Sequence, residues 1–149
     1  MKTSPEPMNP SREPSPHPDS GAADLQLALD EMRDGVILWS ADGRVLASNA
    51  AVIGALMGLP PASFAVGARR LDVMTDLARR GDYGASDDPE GLARRLSDGF
   101  AAGEVTSLTR RLPDGRGLLA LSRPLADGRL LVTYREAPAP DGAQGPTRA

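Results

Sequence analysis

The apolar positions between residues 35 and 58 change period within one stretch, and the rest of the chain is arranged around that change. Val36, Ile37, Leu38 and Trp39 form an unbroken run of residue types that suit a pleated sheet. Ser40-Ala41-Asp42-Gly43 closes the run, because Asp-Gly between apolar segments is a strong hairpin signal, and Val45 and Leu46 carry the return strand. From Ala50 to Met57 the spacing becomes helical: Val52, Ile53, Leu56 and Met57 share a broad apolar face, and Gly58 stops the helix. Asn49 stands just before it, where a side-chain oxygen can accept from a free helix amide, so Asn49 is predicted to be a structural cap. A cap tolerates Asn49→Asp better than Asn49→Ala, since a carboxylate also accepts.

The same patterns continue on both sides. Leu25, Ala28, Leu29 and Met32 recur at offsets of three and four, which predicts a helix over Ala22 to Arg33, ended by Asp34-Gly35. Pro60-Pro61 breaks the chain, with Phe64 and Val66 as anchors of the connecting loop. Arg69 to Arg80 is amphipathic, with Leu71, Met74, Leu77 and Ala78 on one face and Arg70, Asp72, Asp76 and Arg79 on the other. Asp87-Asp88-Pro89-Glu90 opens a further helix, with Leu92, Ala93, Leu96 and Phe100 inward and Gly103 as its stop. Strands follow over Glu104 to Leu112, Gly117 to Leu125 and Arg129 to Arg135. The first alternates and has one wet face, while Leu118-Leu119-Ala120-Leu121 and Leu130-Leu131-Val132 are evenly apolar and call for cover on both faces or pairing in a dimer. The predicted class is α+β, an antiparallel sheet with helices on one side.

The ends behave differently. Residues 1–21 carry Pro5, Pro7, Pro10, Pro14, Pro16 and Pro18 among Ser and Glu and are expected to be a disordered tail; residues 138–149 have no periodicity and read the same way. The foldable part, 22–137, suffices for one domain. A net charge of −3 gives no electrostatic reason to expect nucleic acid. The arginine doublets Arg69-Arg70, Arg79-Arg80, Arg94-Arg95 and Arg110-Arg111 are interleaved with acids and read as solvated faces with local ion pairs. With no apolar run of membrane-spanning length and no signal-peptide core, a cytoplasmic protein without membrane association is expected.

Strand, Asp-Gly turn, strand and Asn-led helix together resemble the opening of a PAS domain, in the variant common in bacterial sensor histidine kinases and cyclic-dinucleotide signalling proteins. The likeness continues through Gly58-Leu59-Pro60-Pro61, Leu112-Pro113-Asp114-Gly115-Arg116 and Arg123-Pro124-Leu125-Ala126-Asp127-Gly128, and covers about residues 24–137. It implies a five-stranded antiparallel sheet whose concave face and helices can enclose a ligand. In domains it resembles, the helix before the first strand often packs on a second subunit, so Leu25, Ala28, Leu29 and Met32 are the candidates for a homodimer interface; the alternative is that this stripe covers its own sheet. In the family the last strand usually runs into a signalling helix through an Asp-x-Thr element; here Arg135-Glu136-Ala137-Pro138 takes that place.

Catalytic residue types are scarce. His17, in the proline-rich stretch, is the only histidine, and there is no cysteine. No base near neutral pH, thiol nucleophile or thiolate metal site is therefore expected in the domain. The same absences argue against flavin–cysteine adducts, cysteine-linked chromophores and histidine-ligated haem, so no cofactor is expected, with non-covalent flavin left open and Trp39, Tyr83 and Phe100 as stacking candidates. The leading expectation is a non-enzymatic, stand-alone regulatory module that dimerises and acts on a signalling partner such as a histidine kinase or cyclase. The alternative is a small-molecule sensor holding an apolar metabolite or flavin, with Val36, Leu38, Trp39, Val52, Leu56, Met74, Leu77, Leu96 and Leu119 lining its pocket.

Overall fold

The strands come in sequence as two, then three, and they interleave. In the computed structural model, which describes residues 18–139 and 145–148, β1 (Gly35–Trp39) pairs antiparallel with both β2 (Val45–Ser48) and β5 (Leu130–Ala137). Beyond β5 lie β4 (Gly117–Pro124) and β3 (Val105–Arg111), so the expected five strands stand in the order β2-β1-β5-β4-β3. The helices are α1 (Pro18–Asp30), α2 (Ala50–Met57), α3 (Arg70–Arg80) and α4 (Pro89–Ala101), with a 3-10 turn at Pro61–Phe64. Ile37, Trp39, Leu108, Leu118, Ala120, Leu130 and Val132 from the sheet pack with Ile53, Met57, Val73, Leu77, Leu96 and Phe100 from the helices in one core.

Three hairpin turns share one construction. Ser40 N–H donates to Arg44 O at 2.7 Å and Gly43 N–H returns to Ser40 O at 3.0 Å; Leu112–Arg116 and Leu125–Arg129 repeat this pair of bonds. Each turn ends Asp-Gly-Arg, with glycine at positive φ (82° at Gly43, 92° at Gly115, 90° at Gly128), the left-handed position that ends a three-residue hairpin loop. In the last two, aspartate accepts the backbone N–H of the arginine two residues on at 3.1 Å and binds its Nε at 2.7 Å (Asp114) and 2.6 Å (Asp127).

Helix ends follow local chemistry. Asp88 Oδ1 accepts from Gly91 N–H at 3.0 Å and caps α4, with Pro89 in its first turn. Gly58 ends α2 at φ 72°, and the guanidiniums of Arg116 and Arg80 reach the carbonyls of Leu56 (2.8 Å) and Gly58 (3.2 Å), where cations offset the helix dipole.

The structure departs from expectation at both ends and in one loop. The first helix starts at Pro18, four residues early, because proline fits a first helical turn; it stops at Asp30 instead of Arg33. The rest of the proline-rich stretch, including His17, lies outside the described residues. Gly145–Arg148, expected to be irregular, forms a sixth strand β6 on the outer edge of β3, supplying partners to an edge that would otherwise be unpaired. Phe64 is buried and anchors its loop, whereas Val66 is 75% exposed and does not.

Candidate functional site

Between the concave face of the sheet and α3 lies a cavity of about 20 Å³, lined by Trp39, Val73, Met74, Leu77, Phe100, Leu108, Ala120, Leu130 and Val132 and by four polar residues, Arg70, Tyr83, Arg110 and Tyr134. Of the predicted pocket residues, Trp39, Met74 and Leu77 reach it, as do the stacking candidates Tyr83 and Phe100. Leu96 is core without lining the cavity, and Val52 and Leu56 are half-buried on α2 away from it. Val36, Leu38 and Leu119 lie on the opposite face of the sheet, since burial falls on Gly35, Ile37 and Trp39 in β1 and on Leu118 and Ala120 in β4. The uniformly apolar runs VILW and LLAL carry no alternation to fix which face turns inward, and a one-residue change of phase moves every side chain across.

The charge of the two buried arginines argues for the surface, yet the pattern marks them as interior. Arg70 precedes Val73, Met74 and Leu77 by three, four and seven residues, so it shares their helix face; Arg110 alternates in phase with Leu108 and Leu112. Arg70 is 8% exposed and Arg110 1%. Each lies over an aromatic ring: Arg70 above Trp39 at 5.5 Å, Arg110 above Tyr83 at 5.3 Å. Arg70 Nε donates to Ser97 Oγ at 3.0 Å, and no carboxylate among the described residues comes within ion-pair distance of it. Arg79 behaves as expected, paired to Glu90 at the surface.

One buried carboxylate serves two guanidiniums. Asp82, 1% exposed, takes Arg80 in a two-point contact (Nε to Oδ1 at 2.8 Å, Nη2 to Oδ2 at 2.7 Å), while Arg110 Nε reaches Oδ2 only at 3.4 Å. Two buried donor nitrogens are left over among the described residues: Arg110 Nη2 and Trp39 Nε1 have no partner. Burial raises the Tyr83 and Tyr134 hydroxyls above the usual tyrosine range, so both stay protonated at neutral pH. Burial pushes Arg70 below the ordinary arginine value, which still leaves it charged.

Asn49 is not a cap. It sits at the entrance of α2, but no helix amide donates to its side chain. Fully buried, it instead accepts from Val36 N–H at 2.8 Å and donates through Nδ2 to Leu29 O at 2.8 Å and Asp34 O at 2.9 Å. Three loose ends meet there: the end of α1, the link to β1, and β1 itself. Gln26 Nε2 adds a second tie from α1, to Ser48 O at 2.8 Å. The predicted interface stripe on α1 stays out of the core: Leu25, Ala28 and Met32 are exposed and Leu29 is half-buried.

A family profile described as the PAS fold matches residues 29–137, most of the chain, and the chain belongs to that family. Among solved structures it is similar to a domain of a sensory box sensor histidine kinase/response regulator from Geobacter sulfurreducens, with 18% identity over 78% of this chain and 95% of the other, and a TM-score of 0.47. A PAS domain of an HTR-like protein from Haloarcula marismortui is similar at 18% identity, over 80% of this chain and 99% of that one, with a TM-score of 0.44. No curated protein matches.

Proposed function

We propose that this PAS domain is a non-catalytic regulatory module of cytoplasmic signal transduction, working as a homodimer on a signalling partner such as a histidine kinase or cyclase. The supporting observation is α1. Leu25 and Leu27 are 69% and 63% exposed, and Met32 is 42% exposed, so the apolar stripe is not spent on covering the domain's own sheet. Asn49 and Gln26 tether the helix through its backbone and a polar side chain, leaving the leucines outward. The outer sheet face adds Leu46 and Leu121, also exposed. For the non-catalytic part, the support is compositional: no histidine or cysteine follows His17 in the sequence. No helix among the described residues is long and apolar enough to cross a membrane.

The alternative occupant, an apolar metabolite or flavin, is poorly served by the cavity. Its volume of about 20 Å³ compares with about 300–1,000 Å³ for typical small-molecule sites. The dimer is tested by sedimentation of the wild type and of Leu25→Glu, with circular dichroism alongside. The expected result is a dimeric wild type and a folded, monomeric variant. A wild type that sediments as a monomer at tens of micromolar refutes the proposal.

A further inference from the structure

The geometry points to an anion site on the surface, in the groove between the β1–β2 turn, the head of α3 and the end of α4, where Arg69 and Arg70 take a phosphate group. It is independent of the dimer and of the cavity under the sheet. Asp42 and Arg44 from the turn, Arg69 and Arg70 from the head of α3, and Ser97 and Asp98 from α4 line this groove of about 540 Å³, which is open to solvent. Arg70 carries the argument. It is only 8% exposed, and of its nitrogens Nε alone has an acceptor among the described residues, Ser97 Oγ at 3.0 Å. Nη1 and Nη2 have none, and in contrast to Arg110 Nη2 they are not sealed from solvent. They emerge beside the turn: a Cβ built on Gly43, which lines the groove and not the cavity, would stand 3.6 Å from Nη2 and 3.9 Å from Nη1. A guanidinium so buried, with no carboxylate at ion-pair distance, is unfavourable unless an anion or water meets its free edge.

The surroundings add donors. An antiparallel bridge between Arg44 and Arg69 ties the turn to the head of α3. Arg69 is exposed and has no carboxylate at ion-pair distance among the described residues, since Asp42 lies 3.9 Å from Arg44 and accepts from Ser40 Oγ. No side chain caps α3, and Leu71 N–H in its first turn has no acceptor among the described residues, so the positive end of that helix opens on the groove. Three guanidiniums against the two carboxylates Asp42 and Asp98 leave the lining with one net positive charge. The tetrahedral oxygens of a phosphate can meet two guanidinium edges and a helix amide at once, which a planar carboxylate cannot do as fully. The groove also leaves room for an organic group on the phosphate.

The full-length protein is titrated calorimetrically at neutral pH and fixed ionic strength with sodium phosphate and with phosphoserine, and with sodium acetate and sodium chloride for comparison. The expected result is saturable binding of at least one of the two phosphate compounds, with acetate weaker by about tenfold or more, the size of one charge-assisted hydrogen bond. Tighter binding of phosphate itself assigns the groove to the free ion, and tighter binding of phosphoserine to a phosphate carried on an organic group. Arg69→Gln, at an exposed position, should remain folded by circular dichroism and lose affinity by a similar factor, and Arg70→Gln should lose at least as much. Should Arg70→Gln not fold, Arg69→Gln and the phosphate–acetate comparison on the wild type decide the matter. No saturable binding of either phosphate compound, equally tight binding of acetate or chloride, or full affinity in folded Arg69→Gln would each overturn the inference.

Discussion

Replacing Asn49 separates two accounts of the same residue. A helix cap loses about 1 kcal/mol on Asn→Ala and little on Asn→Asp, because the carboxylate accepts as the amide oxygen did. The observed side chain does more than accept. Asn49→Ala removes three hydrogen bonds, of 2.8, 2.8 and 2.9 Å, and leaves Val36 N–H and the carbonyls of Leu29 and Asp34 with one partner fewer. Those three residues are half-buried, so water replaces part of what is lost. At about 1 kcal/mol per bond the expected destabilisation is about 3 kcal/mol. With a urea slope of about 1–3 kcal/mol/M, the unfolding midpoint falls by about 1–3 M.

Asn49→Asp is expected to be no better than alanine at neutral pH. It keeps the acceptor for Val36 N–H but sets a carboxylate oxygen against the Leu29 and Asp34 carbonyls, which now receive a donor. Burial and those oxygens disfavour the charged form, so the folded-state pKa of the introduced carboxyl rises above its unfolded value of about 3.9. The deficit is then full at neutral pH and shrinks as pH falls through the raised folded value, where the protonated oxygen donates to one carbonyl. Urea unfolding of wild type and both variants at neutral and mildly acidic pH reads this directly. A stability order in which Asn49→Asp matches wild type at neutral pH, with only alanine impaired, would restore the cap and refute the clasp.

Two further outcomes follow from the buried and surface aspartates. Asp82→Asn leaves Arg80 and Arg110 without their shared carboxylate and should destabilise by about 3 kcal/mol, the usual result of breaking a buried ion pair from one side; a loss under about 1 kcal/mol in urea unfolding contradicts this. Asp114 and Asp127 are held below the ordinary carboxylate range, chiefly by the backbone N–H of Arg116 and Arg129, so their contribution is present above the unfolded pKa and lost as pH falls through the folded one. Asp114→Asn and Asp127→Asn should therefore differ from wild type in urea midpoint near neutrality and converge with it in strong acid, and a gap that persists unchanged contradicts the assignment.

Much of the fold could be read because its signals are local. The helix Ala50–Met57 has the predicted bounds, and Gly58 ends it because only a left-handed residue continues the chain there. The three Asp-Gly turns mark their hairpins from five consecutive residues each, and Asp88-Pro89 marks the start of α4. What escaped depends on groups far apart in sequence. The partners of Asn49 lie 13, 15 and 20 residues away, and no local pattern shows that the end of α1 passes its amide. Likewise the inward face of β1 and β4 is set by the helices that cover it, because an evenly apolar run fits either phase.

The arginines make a different point, since here the signal was present and the residue type spoke against it. Arg70 and Arg110 hold positions that helical and strand periodicity assign to the interior, and their charge argues for the surface. Periodicity prevailed because each guanidinium found a ring to lie on, and because Arg80 and Asp82 bring a carboxylate to one of them. A core position filled by a charge that packing alone does not require, and that one shared aspartate does not neutralise, departs from what stability would select. Such departures concentrate where a protein binds something. The cavity under the sheet is therefore better described by its two arginines than by its leucines.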